Sequence, residues 1–366
     1  MCKIGKLIYQ YRYPRQKTMS DKLWKGEGNI GDCIQTIAVC EALKQTGLNL
    51  KYVVEGINRD DMRNYEGESI FLPMQAWYGN SYGISCLPPS EKIRPVFIGF
   101  HLSKDDDARE DFESRNGVSF LKKYEPIGCR DHDTEKYLRS KGVNAYFSAC
   151  MTLTLPKREK SPENGKVFIV DVSTSIVNRL PEKIKNDAIS DITHYYFFNE
   201  YPVTWNEALH MEDVARDTLL RYKNEASMVI TSRIHCAMPC LAMGIPVVFI
   251  HSWPDDIRLD VLSGILPVYT PDDIPAIDWN PVVPDLRALK DAMLRNFERR
   301  MSAALEGTVL SLEESKILIN GISNAYKILT VQRPSDANWP TKTVRYRLKK
   351  WLKKLCLVCI CRLIGK

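Results

Sequence analysis

Two runs of consecutive apolar residues, Met228-Val229-Ile230 and Val247-Val248-Phe249-Ile250, enclose an apolar, helical-looking stretch at 237–243 that closes with Gly244-Ile245-Pro246. Runs of this length suit strands covered on both faces, and a helix between two of them reads as a β-α-β unit of a parallel sheet. The first strand-to-helix junction is Thr231-Ser232-Arg233-Ile234-His235-Cys236. It gathers a permanent cation, a titratable imidazole and the unpaired N–H groups of a helix start around one point, which suits an anion. Ligands of open α/β sheets bind at this carboxyl edge. A structural salt bridge for the Arg and a satisfied core position for the His would give the same letters, so the junction gains meaning only beside others like it.

Two others exist. Ile127-Gly128-Cys129 leads through Arg130-Asp131-His132-Asp133 into a helix ending at Lys141, with Gly142 as stop and Ala145-Tyr146-Phe147-Ser148 as the next strand. Asp131 or Asp133 can cap that helix, and Gly142 can take the left-handed position after it. Near the N-terminus, Gly28-Asn29-Ile30-Gly31-Asp32 precedes an apolar-periodic helix expected over 33–47, with Ile34, Ile37 and Leu43 on its buried face. Two glycines and an Asn before a helix allow close backbone approach to a ligand, and Asp32 faces the same cleft as a carboxylate or else caps the helix.

The segments GNIGDCIQ (28–35), IGCRDHDTEKYLRSKG (127–142) and TSRIHCAMPCLAMGIPVVF (231–249), in this order and spacing, resemble the polysaccharide pyruvyl transferase family. The resemblance covers most of residues 20–270, and the element pattern continues to about 330. It implies two Rossmann-like α/β domains facing across a cleft in a GT-B-like arrangement, and transfer of a pyruvyl group from phosphoenolpyruvate to sugar hydroxyls without cofactor or metal. Many members carry an Asp where this chain reads Phe147-Ser148-Ala149-Cys150-Met151-Thr152-Leu153-Thr154-Leu155.

With 366 residues, 44% hydrophobic and 26% charged, the chain is long enough for two cores. A polar run at 156–165 lies between a strand-like 151–155 and a new buried strand, Val167-Phe168-Ile169-Val170. The expected organisation is an N-terminal domain over 1–155 on the acceptor side, a linker at 156–165, a C-terminal domain over 166–335 on the donor side, and a basic tail at 336–366. Further core elements are a strand at 96–100 and helices near 212–223, 285–306 and 312–329. The eleven cysteines show neither a paired framework nor metal-ligand spacing, apart from a weak Cys356-x-x-Cys359-x-Cys361, and no secretory apolar segment opens the chain, so reduced thiols and a cytoplasmic location are expected.

Phosphoenolpyruvate carries about three negative charges at neutral pH, so its site needs fixed cations, and the planar fork of Arg matches carboxylate and phosphate alike. The resemblance places Arg130 and Arg233 there, with the N–H groups of Ile234 and His235 at the helix start and Asn29 and Gly31 opposite. His235 is the expected proton donor to the enol methylene, with its imidazolium favoured by the neighbouring anion. Asp32 is the expected acceptor of the hydroxyl proton. His132 stands near enough in sequence to do either job, and His194 lies in a polar loop of no evident purpose. Two rivals share these features: a GT-B glycosyltransferase using a nucleotide sugar, held by Asp255, Asp256 or Asp260, and a non-catalytic ligand-binding protein at the membrane.

Charge is unevenly placed. Nine of the 51 basic residues and no acidic one fall in 341–366, leaving 42 basic against 45 acidic in the body, which excludes a nucleic-acid-binding body. Leu348, Trp351, Leu352, Leu355 and Val358 fall on one side of a helix, with Arg345, Lys349, Lys350, Lys353 and Lys354 around the other. That is the composition of an interfacial helix on anionic lipid, too short in its apolar run to span a bilayer. The expectation is a protein peripheral on the inner face of the plasma membrane, acting on a glycan acceptor, lipid-linked or free. Each basic residue near an anionic surface contributes about 1 kcal/mol, screened by salt. Deleting 341–366 should therefore release the protein from anionic liposomes in a co-sedimentation salt series, and equal sedimentation of both chains would show the tail is not the anchor.

Overall fold

The computed structural model describes residues 3–11, 15–16, 26–79, 86–104, 108–186, 188–199, 202–252 and 256–331; the tail, Asp255 and the Cys356 cluster lie outside them. It is a mixed α/β protein whose two parallel sheets are consistent with Rossmann-like folds. The strands, in chain order, are β1 (Lys3–Ile8), β2 (Arg15–Gln16), β3 (Gly26–Asn29), β4 (Val53–Asn58), β5 (Ile70–Tyr78), β6 (Ile93–Leu102), β7 (Ile127–Cys129), β8 (Ala145–Phe147), β9 (Lys166–Val170), β10 (Ala188–Ile189), β11 (Tyr195–Phe197), β12 (Ala226–Thr231), β13 (Val247–Ile250) and β14 (Val268–Tyr269).

The first sheet has the order β4-β1-β5-β6-β7-β8 and the second β10-β9-β12-β13-β14, all pairs parallel. In each, the chain moves to one side of its first strand and then to the other. Neighbouring strands there send their connections to opposite faces and leave a crevice at the carboxyl ends, between β1 and β5 in one sheet and between β9 and β12 in the other. A third, antiparallel sheet, β11-β3-β2, joins the halves: Tyr195 pairs with Asn29, Tyr196 with Gly28 and Phe197 with Glu27.

Helix Ile30–Gln45 is buried on almost every side, because it packs on helix Trp205–Glu225 and helix Ile234–Ala242 from the second half as well as on its own sheet. It begins three residues earlier than expected. Asn29 is its N-cap, accepting from the Gly31 N–H at 3.0 Å, which leaves Asp32 inside the first turn and not at the cap. The strand-like 151–155 is a 3-10 turn, Met151–Thr154, entered through Ala149 in the left-handed region at φ 60°. Its four residues are buried, so an apolar run that resembles a core strand is a covered turn.

The stretch 156–165 connects the sheets, and Arg158 within it is buried against the second, donating to the Ala226 carbonyl at 2.6 Å. Helices Arg287–Glu306 and Leu312–Val331 return to the first sheet. Asn296 Nδ2 meets Tyr146 Oη at 3.0 Å, the Arg300 guanidinium lies 4.8 Å over the Tyr146 ring, and Tyr326 packs edge-on against Phe147 at 5.0 Å. The stretch 156–165 therefore separates the two parallel sheets, but not the small antiparallel sheet or the last helices. Phe297→Ala empties a fully buried position under the first sheet. It should cost about 3–5 kcal/mol in denaturant unfolding; a loss under about 1 kcal/mol would show that these helices do not seal that core.

Candidate functional site

Both crevices open into one cleft of about 380 Å³. The first half supplies Tyr11 beyond β1, Asn29 and Asp32 around the start of helix Ile30–Gln45, Trp77 near the end of β5 and Arg130 after β7. The second half supplies Asp171 after β9, Ser232 to His235 after β12 and His251 after β13, together with His194, Tyr195, Asp256 and Arg258. The three strand-to-helix junctions of the sequence thus meet in one place, including Arg130, Arg233, Ile234, His235, Asn29 and Asp32. Gly31 lies just behind: a Cβ there would stand 3.1 Å from His235 Cβ and 3.2 Å from His235 Nδ1. A side chain at 31 would crowd the contact that the first half makes with His235.

Arg233 is the N-cap residue of helix Ile234–Ala242, and no side chain caps that turn. Its Nε donates to Asp171 Oδ2 at 2.8 Å and its guanidinium stacks 4.0 Å over the Tyr195 ring. Nη2 is buried without a partner. Asp171 itself sits at φ 50°, a strained conformation for a non-glycine residue. Its carboxylate also accepts from Thr193 Oγ1 at 2.7 Å and the His194 N–H at 3.0 Å, while its carbonyl accepts from Ser232 Oγ at 2.6 Å.

Arg130 is only 3% exposed, donates to Gln35 Oε1 at 3.4 Å and stands 3.8 Å from Asp131. Asp131 caps the following helix through the Thr134 N–H at 2.9 Å and pairs closely with His101. Burial opposes ionisation of Asp131, yet His101, Arg130 and the Thr134 N–H together hold its carboxyl well below the usual range. With Asp131 as the cap, His132 turns outward: its ring stacks on Phe147 at 4.0 Å and Nδ1 meets Glu135 at 3.0 Å. His132 does not line the cleft, so neither role expected for it is available.

Asp32 accepts from Tyr11 Oη at 2.7 Å and lies 4.0 Å from the fully buried Arg59, which is itself paired to Asp60. Burial raises the Asp32 carboxyl above its ordinary value, partly offset by Arg59, Tyr11 and Arg130. His235 is shifted the other way. Burial, then the charges of Arg130, His194, Arg258 and His101, push its imidazole well below the usual range, and its Nε2 has no partner. Burial first, and then the surrounding cations, thus favour the neutral ring, and the imidazolium expected of His235 is the form that a neighbouring anion would favour.

The sequence reading missed Asp171, Tyr195, Trp77, His251 and Arg258, and left His194 unread. Single residues just past a strand carry no periodicity; their one signal was position, after Val170 and Ile250 at carboxyl ends. Of the acidic residues offered for a nucleotide ribose, Asp256 lines the cleft and is bound through both oxygens by Arg258 Nε at 3.0 Å. Asp260 faces the start of helix His132–Ser140 instead. Burial and the nearby Asp131 charge raise it to about 6, against the pull of His132 and the N–H groups there.

An anion-suited cleft at the carboxyl ends of two parallel sheets defines the class: an α/β ligand-binding fold with acid–base groups facing fixed cations. A family model, "Polysaccharide pyruvyl transferase", matches residues 29–252, more than half of the chain and all three junctions. The chain belongs to that family, one of transferases acting in polysaccharide biosynthesis. No curated protein matches it. Among solved structures, a functionally uncharacterized protein from Klebsiella pneumoniae subsp. pneumoniae is 14% identical, with 70% of this chain and 87% of that one covered and a TM-score of 0.38, too loose a likeness to bear on fold or chemistry. Among the described residues no helix is long and apolar enough to cross a membrane.

Since the folded protein keeps His235 and His101 neutral below the ordinary imidazole range, the unfolded chain takes up protons first as pH falls. Stability should then be lost from about pH 6.5 downward. Denaturant midpoints at stepped pH are expected to fall toward acid in the native protein and to fall less steeply in His235→Gln. An unchanged slope in the variant would show that His235 titrates as it would in water.

Proposed function

We propose that this protein transfers the pyruvyl group of phosphoenolpyruvate to two hydroxyls of a cell-surface polysaccharide or its lipid-linked precursor, forming a ketal and releasing inorganic phosphate. The observation that carries this reading is the meeting of Arg130, Arg233 and His235 with Asp32 in one cleft. We read the halves 1–155 and 166–335 as Rossmann-like domains in a GT-B-like arrangement, acceptor on the first and donor on the second. The tail at 341–366 docks the enzyme on an anionic cytoplasmic membrane surface.

Arg130 and Arg233 hold the donor's carboxylate and phosphate, with the N–H groups of Ile234 and His235 at the helix start and Asn29 and Gly31 shaping the opposite wall. The donor's negative charge raises the His235 imidazole, which delivers its proton to the enol methylene and leaves the central carbon electrophilic. One sugar hydroxyl adds there and loses its proton to Asp32. A second hydroxyl then displaces phosphate: its C–O bond forms as the C–O bond to phosphate breaks, its proton passes to the now neutral His235, and Asp32 returns the first hydroxyl's proton to the departing phosphate, which completes the ketal and restores both groups.

A nucleotide-sugar glycosyltransferase is the less favoured reading. Among the described residues, the second-half carboxylates in the cleft, Asp171 and Asp256, are both committed to arginines and not open to a ribose. A non-catalytic sensor would release nothing. The test is phosphate release from phosphoenolpyruvate in the presence of a glycan pool. His235→Gln and Asp32→Asn should each lower turnover by about a hundredfold, the scale of losing one acid or base, and a near-normal rate in either removes that residue from its role. No phosphate release by the native protein with any acceptor would overturn the reading.

A further inference from the structure

His194 has no part in the chemistry above, yet its setting is that of a ligand contact. Its side chain is 1% exposed and it lines the cleft. One ring nitrogen, Nε2, is engaged by Tyr222 Oη at 3.1 Å, whereas Nδ1 is buried without a partner. The main chain is fixed at both ends: the N–H donates to Asp171 at 3.0 Å and the carbonyl accepts from Ile30 N at 2.9 Å. Arg233 shows the same pattern, with Nε spent on Asp171 and Nη2 buried and unpaired. A buried nitrogen left without a partner costs free energy, so two of them on residues tied to one carboxylate mark a place where a ligand oxygen belongs.

We propose that His194 Nδ1 and Arg233 Nη2 form a two-donor clamp for the phosphate of the donor, and that Asp171 is the positioning residue that aims both. The assignment to phosphate follows from the uncapped start of helix Ile234–Ala242 beside Arg233, where N–H groups favour that anion. Asp171 earns its strained backbone by taking three donors with one carboxylate. The clamp rests on the reading of this cleft as a donor site, but it is judged on phosphate binding alone and needs no turnover.

The experiment is calorimetric titration of the full chain with inorganic phosphate, checked with pyruvate as a carboxylate probe. Two variants separate the ring nitrogens of His194. His194→Gln reproduces Nε2 and keeps the Tyr222 bond but loses the inner donor; His194→Asn places an amide N–H where Nδ1 was and gives up Tyr222. If the clamp exists, His194→Gln weakens phosphate binding by about tenfold or more, the range for losing a hydrogen bond to a charged group, while His194→Asn weakens it less. Asp171→Asn weakens it similarly, and pyruvate binding moves little in all three. Phosphate affinity unchanged in His194→Gln, or a greater loss in His194→Asn, would make the ring a structural post and end the proposal. A loss confined to pyruvate would move the clamp to the carboxylate and overturn the phosphate assignment. Thermal melts accompany each titration; should His194→Gln fail to fold, Asp171→Asn decides, since unaltered phosphate affinity there overturns the clamp. Absence of phosphate binding by the native protein also overturns it, whereas binding without turnover would fault only the proposed reaction.

Discussion

The short antiparallel pairing of β3 with β11 is the contact on which the cleft depends. It carries residues 26–29 of the first half onto 195–197 of the second, and the Ile30 N–H continues the ladder to the His194 carbonyl at 2.9 Å. A few ladder bonds are weak alone. Here they are braced by helix Trp205–Glu225, which packs on helix Ile30–Gln45 and ties Glu212 to Lys6 at 2.9 Å. The consequence is positional: the turn that holds Asn29, Gly31 and Asp32 is pinned against His235 instead of standing free across a gap.

That pinning explains why some letters of the first junction have only one workable size. At Gly31 a side chain would press on His235, and at Gly28 a Cβ would meet the Phe198 ring at 2.8 Å and Met211 Sδ at 2.9 Å. The glycines were read as giving the backbone room for a ligand. At these two positions the room is taken up by the opposite half of the protein, and the ligand space lies beside them.

Much of the scaffold was legible because burial leaves a local mark. Val247–Ile250 and Phe168–Val170 are covered on both faces and fall in unbroken apolar runs, and Gly142 takes the left-handed position, φ 71°, after its helix. The run at 151–155 is equally buried but folds as a turn, since burial by itself does not distinguish a strand from a covered bend. Arg130, Arg233 and His235 could be picked out because each stands at a strand-to-helix junction. Asp171 and His194 could not: they come together through Ser232, Thr193 and a pairing with residues some 165 positions away, and no window of sequence contains that meeting.

The charges of the cleft are arranged in pairs that stop short of cancelling. Asp171 occupies Nε of Arg233 and leaves Nη2 unpaired; Asp131 is divided between His101 and Arg130; Asp256 holds Arg258. Each guanidinium is oriented by its carboxylate and keeps part of its field for the cleft, and that residual field adds to burial, the larger cause, in favouring the neutral His235 ring. On the proposed reaction this has a use. A donor bringing about three negative charges into the same space reverses the sign of the field at the ring, so the imidazolium forms when the enol is present to receive its proton. An acid protonated beforehand would sit among arginines at a cost in stability, whereas one protonated by the substrate's own charge is supplied by binding. On that reading, the cations that position the donor, together with the burial of the ring, set when its neighbour becomes an acid.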